Sequence, residues 1–81
     1  MEKTAISVKI YNETYLLKTE APESDVLAVA DMVNQKMHAL AERKCIGTTD
    51  KLAVWTALDL AAELYKLRQD YERLLAVAKE R

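Results

Sequence analysis

The sequence predicts an α+β fold, mainly helical, with an N-terminal two-stranded β-hairpin, one helix, then a long C-terminal coiled-coil helix. Three observations predict it. Apolar residues alternate across residues 4–19 in the manner of a half-buried strand pair. Across residues 26–40 they recur every three or four positions, as one face of a helix does. Residues 51–81 hold neither glycine nor proline and repeat their apolar positions in a heptad rhythm.

The hairpin has a checkable register. Ile6, Val8 and Ile10 form the apolar side of one strand, Tyr15 and Leu17 that of the next. With Asn12-Glu13 as a two-residue loop, Tyr11 faces Thr14, Ile10 faces Tyr15, Val8 faces Leu17 and Ile6 faces Thr19, which gathers the apolar side chains on one face. Ser7, Lys9 and Lys18 then point outward. Asn12 suits such a turn because it tolerates positive φ better than most residues that carry a Cβ. Two strands are not stable alone, so their apolar face must lie on a helix.

Ala21-Pro22 ends the alternation, and Pro22 fits the first turn of a helix whose early Glu23 and Asp25 complement its positive end. Val26, Ala30, Val33, Met37 and Leu40 then give one apolar stripe, with Arg43 and Lys44 at the negative end. Cys45-Ile46-Gly47, holding the only glycine, forms a short connection. Thr48, Thr49 and Asp50 offer N-cap oxygens for the second helix.

That second helix, at about 31 residues and 1.5 Å per residue, spans roughly 46 Å, whereas a compact chain of this length measures only about 30 Å across. It outreaches its own domain. Residues 1–47 therefore form a small head and residues 48–81 a long oligomerisation helix. Ala57, Leu60, Leu64, Leu67, Tyr71, Leu74 and Ala78 make a seam of the kind that joins helices. A second stripe, Trp55, Leu58, Ala62 and Tyr65, flanks its first half, and Leu75 with Val77 widens its far end. Trp55 and Tyr65 follow helical spacing and fill a core or an interface. One seam faces a twin chain and the other a second surface.

Composition narrows the function. Eighty-one residues bury only about 60 to 65% of their unfolded surface. With one cysteine and one histidine, neither a disulfide nor a structural metal is available, and oligomerisation remains as reinforcement. Twelve basic and thirteen acidic residues leave a formal charge of -1 with no basic block, which argues against nucleic acid. The longest apolar runs, residues 26–30 and 74–78, are far short of a membrane span, and the polar start is no signal peptide. A cytoplasmic location is expected, and an unpaired Cys45 suits a reducing compartment.

Catalytic and cofactor sites are not expected. His38 and Cys45 with Glu42 fall short of a zinc ligand set. Three residues before His38 stands Gln35, not the glutamate of a helical di-metal motif. A single glycine rules out a phosphate-cradling loop, and Ser7 and Ser24 lie outside any nucleophile motif. Asp59 and Glu63, a like-charged i, i+4 pair, read as solvated or interface positions. The chain is expected to be no enzyme, with no cofactor, metal or small-molecule substrate.

Three segments together resemble the ZapA family of bacterial cell-division proteins. Val8-Lys9-Ile10-Tyr11-Asn12-Glu13-Thr14-Tyr15-Leu16-Leu17 is similar to the family's V-x-I-x-G-x-x-Y-x-L hairpin, with Asn12 where glycine is usual. Val29-Ala30-Asp31-Met32-Val33-Asn34-Gln35-Lys36-Met37 resembles L-A-x-x-V-D-x-K-M. Most specific is Leu52-Ala53-Val54-Trp55-Thr56-Ala57-Leu58-Asp59-Leu60-Ala61-Ala62-Glu63-Leu64, similar to L-A-V-L-A-A-L-N-L-A-D-E-L with departures at Trp55, Thr56, Asp59 and Ala62. The resemblance covers residues 6–72.

It implies a small head and a long helix that pairs with a second subunit, two dimers joining tail to tail. It also implies a function no periodicity shows: binding the tubulin-like protein FtsZ, cross-linking its protofilaments and supporting the division ring at mid-cell. The oligomer interface is then expected at Trp55, Ala57, Leu58, Leu60, Leu64, Leu67, Tyr71, Leu74, Leu75 and Ala78. Some family members use charged residues near the hairpin turn and at the start of the long helix to meet FtsZ, where this chain holds Glu13, Leu16 and Asp50; Asn12, Glu13, Asp50 and Lys51 are the expected contacts, as exposed positions. The other class of function is a generic coiled-coil assembly module with a different partner.

Overall fold

The structure, a computed structural model, describes residues 3–43 and 46–80. Strands β1 (Thr4–Ile10) and β2 (Glu13–Thr19) pair antiparallel, followed by helices α1 (Glu23–Arg43) and α2 (Thr49–Lys79). β1 lies on α1, α1 lies on α2, and β2 is the outer strand, paired to β1 alone. Principal extents of 50 × 42 × 15 Å and a radius of gyration of 16.6 Å describe an open shape. A compact chain of this length would have a radius near 12 Å. The overreach of α2 accounts for the difference.

The hairpin register differs from the one expected. Its loop is Tyr11-Asn12, not Asn12-Glu13, and the facing pairs are Ile10 with Glu13, Val8 with Tyr15 and Ile6 with Leu17. Each partner moves by two positions, so the faces survive: Ile6 and Val8 are buried against Ala30, with Ile10 and Val26 alongside. The physical reason is that a two-residue turn of the favoured twist needs positive φ at both central residues. Tyr11 at φ 48° and Asn12 at φ 70° supply it. Tyr11 is held there by tertiary contacts, its N–H donating to Asn34 Oδ1 at 2.8 Å and its ring tilted onto His38 at 4.9 Å between centroids.

Between β2 and α1, the Ala21 N–H donates to Thr19 Oγ1 at 3.0 Å. Pro22 stands just before α1, where its carbonyl accepts from Asp25 and Val26 at 3.0 and 3.1 Å. The expected stripe packs as read: Ala30, Met37 and Leu40 are buried, and Val26 and Val33 are half-buried. Met37 and Leu40 meet Leu52 of α2 in a second cluster that also takes in Ile10, Tyr11, Ala41 and Ile46. Ile10 touches both clusters, so the core is continuous. Lys44 and Cys45 of the connection lie outside the described residues.

Helix α2 starts two residues earlier than expected, because Thr48 is the cap: its Oγ1 accepts the Lys51 N–H at 3.2 Å, and its carbonyl accepts from Leu52 at 3.0 Å. Asp50 sits in the first turn, favourable at the positive end. Thr56 is buried beside Leu52 and satisfies its hydroxyl by donating to the Leu52 carbonyl at 2.8 Å. The first two turns of α2 thus belong to the core of the head. Among the described residues no helix is long and apolar enough to cross a membrane.

Candidate interaction surfaces

Beyond residue 60 every described side chain of α2 is exposed. Leu64, Leu67, Tyr71, Leu74 and Ala78 follow the seam spacing, yet Leu74 is 68% exposed within its own chain. The near end of the seam differs. Leu60 is half-buried and stands at the junction of the two helices. On one side it lines a groove with Met32, Lys36, Ala39 and Glu63, on the other a groove with Val33, Met37, Thr56 and Ala57. The seam therefore begins at the α1–α2 notch and runs outward along bare helix.

The second stripe lies on another face. At 100° per residue, Trp55, Leu58, Ala62 and Tyr65 stand roughly 140° around the helix from Ala57, Leu60 and Leu64. All four are exposed, Trp55 by 45%. Trp55 is therefore not buried within its own chain. Leu75 and Val77 are also exposed near the far end.

One charged contact crosses the notch. Lys36 Nζ of α1 lies 3.0 Å from Asp59 Oδ2 and 2.6 Å from Glu63 Oε2, both on α2. Hydrogen bonds to Glu63, then to Asp59, hold the Lys36 ammonium above its ordinary value. Asp59 and Glu63, which the spacing alone presents as mutually repelling, are thus bridged by one cation that only the tertiary fold brings near. That contact was invisible to a reading of helix faces. The spacing i, i+4 of two carboxylates on a face turned toward another helix was the available signal.

The four residues expected to meet a partner fall in two places. Asn12 and Glu13 are in and after the hairpin turn, Asp50 and Lys51 in the first turn of α2, and all four are exposed. Tyr11 links the two places, since it lines a small cleft with Ile46, Gly47, Thr48, Thr49 and Leu52. Glu13 also accepts from the Tyr15 hydroxyl at 3.3 Å, and its negative charge pushes the Tyr15 phenol up. His38 stacks on Tyr11, and among the described residues no group of three His, Cys, Asp or Glu side chains is placed to hold a metal.

Comparison with known proteins gives one consistent answer. Residues 6–81 match the sequence family described as cell division protein ZapA. The ZapA of Geobacillus thermodenitrificans is 43% identical over 75 residues, spanning 91% of this chain and 81% of that protein. The ZapA of Oceanobacillus iheyensis is 38% identical over 80 residues, spanning 99% and 93%. Among solved structures, a ZapA mutant dimer from Geobacillus stearothermophilus superposes with a TM-score of 0.78 at 35% identity, covering 98% of this chain and 92% of that one. A hairpin-and-helix head carrying one outsized helix is that architecture, and this chain belongs to the ZapA family of cell-division proteins.

Proposed function

We propose that this chain is a non-enzymatic cross-linker of FtsZ protofilaments, acting in the cytoplasm at the mid-cell division site as a dimer or a tail-to-tail tetramer. The observation that carries the reading is the bare seam of α2, whose large apolar side chains stand in water beyond the head. A monomer rarely tolerates so long an apolar stripe, and a mutant of a related ZapA was solved as a dimer. Pairing along the seam places two heads at one end of a rigid rod. Joining two such rods by their tails then sets binding ends on both sides, and bridging gains from multivalency with no new type of contact.

Asn12, Glu13, Asp50 and Lys51 are the candidate contacts with FtsZ, because they are exposed in and after the hairpin turn and in the first turn of α2. The test is sedimentation of polymerised FtsZ with and without the protein. Co-pelleting, with thicker bundles by electron microscopy, is expected. A chain that dimerises but stays in the supernatant would refute the FtsZ reading and leave a coiled-coil module with another partner.

A further inference from the structure

We propose that Glu63 and Arg68 form a reciprocal pair of salt bridges between two copies of this chain and fix them side by side in parallel. The inference rests on pairing through the seam described above. With Ala57 and Leu64 at a and Leu60 and Leu67 at d, Glu63 takes position g and Arg68 position e of the next heptad. These are the places that flank a seam and select the partner and its direction. In a parallel pair each g residue meets the e residue five positions on in the other chain, which sets Glu63 against Arg68 of the partner subunit, twice by symmetry. In an antiparallel pair centred on the same seam, g meets g, and Glu63 comes to the partner subunit's Asp70. The charges favour the parallel arrangement.

The geometry of the single chain leaves both groups available. Glu63 is held by Lys36 at 2.6 Å, yet its side chain remains 60% exposed. Arg68 is exposed and, among the described residues, has no ion-pair partner in its own chain. The two cannot meet within one helix, since five residues turn it by about 140°. The seam is also continuous with the notch where Leu60 and Glu63 line the groove beside Lys36. A second chain laid along the seam therefore lies beside Glu63, whose exposed side chain is open to it. The bridge ties the paired arms to both heads.

The test is a double-mutant cycle on the full chain, using Glu63→Gln, Arg68→Gln and the double variant, with dimer dissociation constants from sedimentation equilibrium. At 50 mM NaCl the two substitutions should be coupled by about five-fold in Kd, the size of two exposed ion pairs, and the coupling should fade at 500 mM NaCl. Arg68→Glu should weaken the dimer further, but not when Glu63 is already Gln. Circular dichroism controls for folding. Additive effects in a wild-type dimer would overturn the pairing while leaving the dimer intact. A wild-type chain that is monomeric at micromolar concentration would instead overturn the seam reading beneath it.

Discussion

In the head, Val8, Leu40 and Leu52 are each 3% exposed, whereas Leu67, Tyr71 and Leu74 in the far half of α2 are all above 60%. Both regions carry apolar residues at the spacing of a buried stripe. What separates them is the presence of an opposing surface. The hairpin, α1 and the start of α2 each supply an apolar face that another covers, and removing that area from water stabilises the head at about 25 cal/mol per Å². Residues 64–78 have the stripe and, among the described residues, no covering element. A helix can be specified by its own sequence and still depend on another molecule for the reason its sequence has that pattern.

The largest effect expected is Val8→Asp, which places a carboxylate among Ile6, Ile10, Val26 and Ala30. A burial of that kind costs several kcal/mol, so the head should lose cooperative melting by circular dichroism. Wild-type melting would show that the face pairing Val8 with Tyr15 is wrong. In the arm, Leu75→Glu should leave folding and pairing in place, because residues 57–67 still hold the near half of the seam. Bundling of FtsZ, read by light scattering, should be lost while co-pelleting persists. Full bundling by a confirmed dimer of this variant would remove the tail-to-tail bridge from the account.

A pair of equal truncations sharpens the contrast. Leu52→Ala empties part of the core beneath Tyr11 and Met37 and should cost about 2–4 kcal/mol, seen as a fall in melting temperature independent of protein concentration. Leu74→Ala removes the same atoms from an exposed site. Its effect should enter through association alone, as a melting temperature that depends more steeply on concentration. If Leu74→Ala destabilised the dilute monomer as much as Leu52→Ala, the arm would have a partner within its own chain.

How far the sequence could be read follows the same division. The stripe of α1 and the run of α2 were legible because one period governs each and no tertiary contact alters it. Hairpin faces were legible too, since a shift of two positions preserves which side chains share a side. The turn was not: tyrosine has no intrinsic liking for positive φ, and it takes that conformation because Asn34 and His38, more than twenty residues away, hold it. Thr56 was missed as a core residue because its hydroxyl is satisfied by the Leu52 carbonyl, a bond its polarity did not advertise. Lys36 was missed because its two partners come from another helix. As for the hairpin turn, Tyr11 lines a cleft with Thr48, Thr49 and Leu52, and no linear pattern placed it beside the start of α2.

The smallest effect expected lies at that turn. Asn12 stands at φ 70°, where glycine pays no Cβ penalty and where the family's hairpin usually has it. Asn12→Gly relieves a modest strain but also frees the unfolded chain, so the two changes partly cancel and the net gain should be below about 1 kcal/mol. Tyr11→Gly relieves more strain, yet it removes the ring that packs on His38 and on the Leu52 cluster, and it should destabilise the head. The opposite signs at neighbouring positive-φ residues distinguish a side chain kept for packing from one that merely tolerates the turn. Thermal melts of the two variants read the difference, and the same proteins test the surface: if Asn12→Gly melts as predicted but no longer pellets with FtsZ, the Asn12 amide belongs to the contact. Unchanged pelleting would shift the contact toward Glu13, Asp50 and Lys51. A clear loss of stability in Asn12→Gly would mean that Asn12, like Tyr11, is held by the head rather than by the turn.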